Sequence, residues 1–392
     1  MSIRSFGNNN QPVITIVDTV LQQAIAAGAS DIHCEPTQKD LRIRFRIDGV
    51  LVDQGSIDLL VMPQVISRLK VLAHINIAEK RIPQDGKFSM QVQGKLIDLR
   101  VSTFPSLYGQ KVVVRILDRA SYTMTLEKLG FSEPMFTQIQ TLMHRPNGFF
   151  LVTGPTGSGK TTTLYAALAA LNAAEKNIVT LEDPVEYNLD GITQGHINPD
   201  AGFTFEKGIR AVLRQDPDIL MVGEVRDKQT ARVAIEAALT GHVVLSTLHT
   251  NDAPSAIMRL MDMGIEPFLI NASLTGVLAQ RLARKICTQC REQVCPTDHE
   301  KKLLDRFGMH ETMLYKGTGC SACNSLGYKG RVGVFELLGM TSALRTLVVQ
   351  QPIFDDIHEQ ALSDGMCTLQ QDGIHKVRNG IISLDELVRA VA

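Results

Sequence analysis

At 392 residues the chain is too long for one ordinary domain and predicts two or three. A hydrophobic fraction of 44% and a charged fraction of 21% supply the apolar material for sizeable cores. The net charge of −1 argues against a dedicated nucleic-acid binder, which needs a basic surplus or a basic face, without excluding a local patch.

Residues 1–12 are polar and Asn-rich, which predicts a disordered lead-in without the apolar core of a signal peptide. No apolar run approaches the roughly 18 residues of a spanning helix. A cytoplasmic chain that meets membranes only through partners is therefore expected. Ile16, Val20, Leu21 and Ala24 predict an amphipathic helix over 13–27, closed by Gly28. Leu41, Ile43, Phe45 and Ile47 alternate with Arg42, Arg44 and Arg46, the pattern of a half-buried strand, and Asp48-Gly49 turns it into 50–52. A helix around 65–73, a polar turn at 83–86 and strands over 96–102 and 111–117 complete an α+β unit of ordinary domain size. Residues 119–134 read as a linker.

The next unit opens on its chemistry. Gly148-Phe-Phe-Leu-Val-Thr153 suits a buried strand and leads into Gly154-Pro155-Thr156-Gly157-Ser158-Gly159-Lys160-Thr161, the full GxxxxGK[ST] phosphate loop, followed by Thr162. The glycines let successive N–H groups converge on phosphate oxygens, Lys160 supplies a mobile charge, and the Thr161 hydroxyl can ligate Mg²⁺. Leu164, Ala167, Leu168 and Leu171 recur at helical spacing, so a helix starts at the lysine with its positive dipole end towards the phosphates. A chance glycine-rich turn would lack this strand, this helix and the Lys-Thr pair. Further apolar runs at 177–182, 219–222 and 243–248 alternate with helical segments, which predicts a parallel sheet.

Hydrolysis also requires acids at neighbouring strand ends. Glu182, Asp183 and Glu186 end one strand, and any of them could hold Mg²⁺ through its waters. Glu224 follows a buried run and a glycine, placed to orient and deprotonate water. His249 ends a third strand, where it could sense a γ-phosphate. Solvated loop acids and a structural histidine are the bland alternatives. Seven cysteines include the pairs Cys287/Cys290 and Cys320/Cys323, which in a reducing compartment suggest metal rather than disulfides. Four thiolates suit tetrahedral zinc, although the gap between the pairs exceeds the usual spacing of about 15–20 residues. Cys295 is a nearby rival ligand, expected to be a bystander like Cys34 and Cys367. Short helical segments at 343–349, 357–362 and 384–391 make a helical tail.

In order, Ala29-Ser-Asp-Ile-His33, Arg81-Ile-Pro-Gln-Asp-Gly86, Asp98-Leu-Arg-Val-Ser-Thr103, the phosphate loop, Glu182-Asp-Pro-Val-Glu186, Leu213-Arg-Gln-Asp-Pro-Asp218, Gly223-Glu-Val-Arg-Asp227 and Leu245-Ser-Thr-Leu-His-Thr-Asn-Asp252 resemble the secretion ATPase superfamily, most nearly its type II secretion and type IV pilus assembly ATPases. The resemblance runs from about residue 13 to the end. It implies an α/β chain with a PAS-like N-terminal domain (13–118), a RecA-like P-loop core (135–284), a tetracysteine zinc module (285–332) and a helical C-terminal subdomain (333–392). It makes Glu182, Asp183 and Glu186 an Asp box, Glu224 the catalytic Walker B acid, and His242 with His249 a His box. By the same resemblance Arg100 and Arg115 act like arginine fingers on the triphosphate, a role worth about 10³–10⁵ in rate. Arg42, Arg44 and Arg46 are left as solvent-facing strand residues.

The implied activity is Mg²⁺-dependent ATP hydrolysis by a homo-hexamer, driving assembly of pilin or pseudopilin subunits by an inner-membrane machine. The implied cofactors are ATP, Mg²⁺ and Zn²⁺. The implied partners are platform proteins, with only peripheral membrane association and no nucleic acid. A conjugation or DNA-uptake ATPase, another DNA translocase, and a weakly hydrolysing nucleotide-dependent scaffold are the alternatives. Larger relatives carry a further N-terminal domain that docks on the platform; this sequence starts almost at the PAS-like domain, so docking by that route is not carried over.

Overall fold

The computed structural model describes residues 11–92, 94–118 and 124–391. The expected lead-in over 1–10 and the start of the expected linker, 119–123, lie outside the described residues. The chain divides into two compact units, Met1–Tyr122 and Thr123–Ala392. No helix among the described residues is long and apolar enough to cross a membrane.

In the first unit, β1 (Ala29–Pro36), β2 (Asp40–Ile47), β3 (Val50–Asp58), β4 (Gln84–Val92), β5 (Lys95–Ser106) and β6 (Gly109–Asp118) pair antiparallel in the order β3-β2-β1-β6-β5-β4. Period-two alternation sends Ile32, Ile43 and Val114 to one face, where they meet Val17, Val20 and Leu21 of helix Val13–Ala26 and Val65 and Leu69 of helix Met62–Leu72. The opposite face is charged. There Glu35 takes Arg42 at 3.1 Å, Arg44 at 2.8 Å and Lys111 at 3.0 Å. Burial alone would raise the Glu35 carboxyl, but donation from Arg44 and Lys111 brings it down to about 2. The expected turn at 83–86 is instead the start of β4, an edge strand with no fully buried residue, whose apolar alternation (Phe88, Met90, Val92) begins only after the polar run that opens it. Gly86 passes so close to the end of helix Met62–Leu72 that a Cβ would stand 2.2 Å from the Ala73 carbonyl oxygen.

The second unit holds β7 (Gly148–Thr153), β8 (Ile178–Glu182), β9 (Thr193–His196), β10 (Ile219–Val222), β11 (Val243–Leu248), β12 (Leu274–Ile286), β13 (Arg291–Val294), β14 (Leu314–Gly317) and β15 (Tyr328–Gly339). Its main sheet runs β15-β12-β7-β11-β10-β8-β9, parallel except for β15, which returns antiparallel along β12. β12 crosses the expected boundary at 284/285, and β15 crosses that at 332/333. The cysteine segment, with its β13–β14 pair, therefore leaves and rejoins the main sheet. One apolar core runs through Val244, Val277, Leu338, Leu344 and Leu387, so the helical tail shares it. Leu126 and Leu129, within the expected linker, are buried in this unit.

Candidate active site

Because β7, β8, β10 and β11 are parallel in register, their carboxyl ends meet at one edge of the sheet. The wholly buried β7 ends at Thr153, and helix Lys160–Leu171 begins six residues past Gly154. Glycine is required at two turns of the loop between them. Gly154 has φ 147° and a Cβ there would lie 2.4 Å from the Gln280 carbonyl oxygen; Gly159 caps the helix at φ 91° with Gln280 Nε2 2.8 Å from its Cβ position. Gln280, on β12, also bonds the loop directly, donating from Nε2 to the Ser158 carbonyl (2.8 Å) and accepting at Oε1 from Thr163 Oγ1 (2.7 Å). Lys160 Nζ donates to the carbonyls of Gly154 (2.8 Å) and Pro155 (3.1 Å). Pro155, Thr156, Gly157, Thr161 and Thr162 are exposed.

Burial pulls the Lys160 ammonium down to about 8; nearby Glu224 opposes this and Arg281 adds to it. A phosphate binds the protonated lysine and raises its pKa, so affinity is level below about pH 8 and falls above it as binding must first restore the proton. A fluorescent ATP analogue titrated at pH 7 and pH 9 should bind about tenfold more weakly at the higher pH. Equal affinities would refute this.

Glu224 stands directly after Gly223. The backbone on either side of it is tied to β11, with Thr247 Oγ1 donating to the Gly223 carbonyl (2.7 Å) and the Val225 N–H to the Thr247 carbonyl (3.0 Å). Its carboxylate meets Arg226 at 2.5 Å and His249 Nε2 at 3.6 Å. His249 is held there because the next N–H, that of Thr250, donates to Thr153 Oγ1 at 2.9 Å. The structure thus brings Lys160, Glu224 and His249 together.

Two expectations need correction. Glu182 is only 3% exposed, and its oxygens accept from Tyr165, from Thr180 Oγ1 (2.6 Å) and from Gln194 Nε2 (3.1 Å). Three donors in the core leave it no place among water-mediated metal ligands, whereas Asp183 is exposed and Glu186 partly so. His242 immediately precedes β11, and its backbone carbonyl accepts from Gly148 at the start of β7. At roughly 3.3 Å per residue it lies about 20 Å from His249, at the far edge of the sheet. Its Nδ1 is 2.9 Å from the Ala237 carbonyl, a structural contact.

In the first unit, Arg100 and Arg115 sit directly opposite each other on β5 and β6, and Arg115 faces Asp31 on β1. Arg115 Nε donates to Asp31 Oδ1 at 3.1 Å while its side chain stays 61% exposed. Gln280, Arg281, Thr153 and Tyr165 belong to no motif that marks them in the sequence. The polar Gln280-Arg281 pair interrupting an apolar run was the available signal.

The profile of the family described as Type II/IV secretion system protein matches residues 7–389. The chain belongs to that family. It is 48% identical over 385 residues to the Type II secretion system ATPase E of Vibrio cholerae, spanning 97% of this chain and 76% of that protein. To the Type IV pilus assembly ATPase PilB of Myxococcus xanthus it is 45% identical over 385 residues, 97% of this chain and 68% of PilB. The crystal structure of the pilus retraction motor PilT with bound ADP superposes with a TM-score of 0.62 at 26% identity, covering 94% of this chain and 95% of PilT. As a member of the type II/IV secretion system protein family, the chain is a P-loop ATPase with the expected α/β organisation, a PAS-like unit before a RecA-like core.

This family member also carries the expected cysteine cluster. The Sγ atoms of Cys287, Cys290, Cys320 and Cys323 all lie within 4.8 Å of one another. Three of the pairs, 287–320, 290–323 and 320–323, stand at 3.8 Å. That is far beyond a disulfide and equals the edge, about 3.8 Å, of a tetrahedron with metal–sulfur bonds of about 2.3 Å. N–H groups of Gly319, Cys320 and Gly327 donate to Cys290 and Cys323 at 3.2–3.3 Å, which favours thiolates. Cys295 is exposed, outside the cluster and against Met313.

Proposed function

We propose that the chain catalyses Mg²⁺-dependent ATP hydrolysis that drives assembly of pilin or pseudopilin subunits by an inner-membrane type II secretion or type IV pilus machine. The observation that carries the chemistry is the Glu224–His249 pair beside Lys160 at the carboxyl edge of the sheet. The near-full-length similarity to secretion ATPase E and PilB proteins supports the machine. The backbone N–H groups of Gly154–Thr162, Pro155 excepted, and the Lys160 ammonium hold the phosphates. Thr161, with Asp183 or Glu186 acting through water, holds Mg²⁺, whose part is to neutralise charge on the phosphates. Glu224 orients water and takes its proton, His249 keeps Glu224 turned towards it, and Arg100 and Arg115 meet the charge that develops on the triphosphate. The protein works as a cytoplasmic homo-hexamer held at the inner membrane by platform proteins. Turnover should require Mg²⁺ and be unchanged by double-stranded DNA; a several-fold stimulation by DNA would replace this reading with a translocase.

Cys287, Cys290, Cys320 and Cys323 would hold zinc in a structural role, since four thiolates leave no open position for chemistry. Metal analysis should find about one zinc per chain, absent from Cys320→Ser, which should also open the 287–327 segment to proteolysis. Zinc-free wild type would refute the assignment.

A further inference from the structure

Glu336 lies in the middle of β15 among Val334, Phe335, Leu337 and Leu338, and is 4% exposed. An apolar residue would satisfy packing there, and a buried carboxylate is tolerated only when its oxygens are bonded. Both are. Oε1 accepts from the Ala253 N–H (2.7 Å), and Oε2 accepts from the Leu369 N–H (3.2 Å). Leu369 opens the penultimate helix, Leu369–Arg378, and that helix bonds back: Asp372 Oδ2, paired with Lys376, accepts from the Phe335 N–H at 2.8 Å. Strand and helix are therefore tied by two carboxylate-to-backbone bonds running in opposite directions.

On the other side, Ala253 ends the short loop that begins at His249. Each residue of that loop is fixed in turn: Thr250 by Thr153, Asn251 by Arg281 Nη2 (2.8 Å to its carbonyl), and Asp252 by the Ser255 N–H (2.8 Å). The loop is thus hydrogen-bonded along its whole length, with Ala253 at one end and His249 at the other.

We propose that Glu336 is a positioning residue for ATP hydrolysis, joining helix Leu369–Arg378 to the His249 loop so that the helix sets how His249 meets Glu224. The proposal rests on the roles given above to Glu224 and His249.

Glu336→Gln keeps the shape but offers one acceptor oxygen and turns an NH₂ towards the second N–H. Its expected effect is a fall in kcat of about 10–100-fold with nucleotide Kd within about twofold. Hydrogen exchange at the Ala253 amide should rise at least about tenfold, with the amides of Gly154–Lys160 unchanged. His249→Ala should lower kcat, and the double variant should be no slower than the slower single one, because both act through one contact. Losses that multiply, faster exchange at Ala253 with full kcat, or a lower kcat with unchanged exchange would overturn the proposal. A full kcat in His249→Ala would bring down the His249 role itself and the proposal with it, an outcome distinct from failure at Glu336 alone.

If Glu336→Gln does not fold, Gln371→Ala serves. Gln371 is exposed and its side chain accepts from the Thr368 N–H (2.9 Å), so its loss loosens the start of the same helix without touching the core. A kcat lowered about two- to fivefold, again without further loss beside His249→Ala, is expected. An unchanged kcat would count against the proposal.

Discussion

Glu224→Gln should bind ATP as tightly as the wild type and release phosphate about 10²–10⁴-fold more slowly, the usual contribution of a positioned general base. The amide keeps the size of the side chain and can still accept from Arg226, which stands 2.5 Å from the carboxylate, so the fold around β10 should hold. What it cannot do is take a proton. The phosphate loop is held by hydrogen bonds from Gln280 and by its own glycines, and this separates binding from chemistry at Glu224. Single-turnover phosphate release and equilibrium nucleotide titration read the two quantities independently. Unchanged release would end the assignment.

Arg115→Ala and Arg100→Ala should each lower turnover by about 10³-fold or more while leaving nucleotide Kd within a few-fold. The two guanidinium groups start from facing positions on β6 and β5, and Asp31 accepts from Nε of Arg115 while most of its side chain stays exposed. That grip orients a planar fork, so Arg115→Lys should restore little activity although it keeps the charge. Equal losses of binding and turnover would show that these arginines serve ground-state binding instead.

Much of the site was legible because its chemistry is local. Gly154 to Thr161 need particular residue types in an unbroken run, and β7 and β10 are short apolar stretches with turns around them. Glu224 and His249 could be placed because His249 directly follows a buried strand and Glu224 follows one after a single glycine. Glu182 looks equivalent by that rule, yet it is the last residue inside its strand, and Tyr165 and Gln194, from other elements, decide that it turns into the core. His242 shared a short segment with His249, but a strand separates its ends by its own length. The long strands β12 and β15 were hidden by Gln280, Arg281, Arg284 and Glu336, polar residues whose partners lie far away in sequence. The start of β4 was hidden by Pro83-Gln-Asp-Gly86, whose residue types are those of a turn.

The cysteine segment leaves β12 at Ile286 and returns to β15 at Tyr328, and these two residues are paired neighbours across the strands. Antiparallel neighbours need no more than a tight turn to join them. The whole excursion is therefore topologically an insertion at the end of a hairpin. A relative could lose it, or exchange it for a different one, without re-threading a single strand of the nucleotide-binding sheet, provided the apolar contacts of Leu304, Met309 and Leu314 with the shared core were made good.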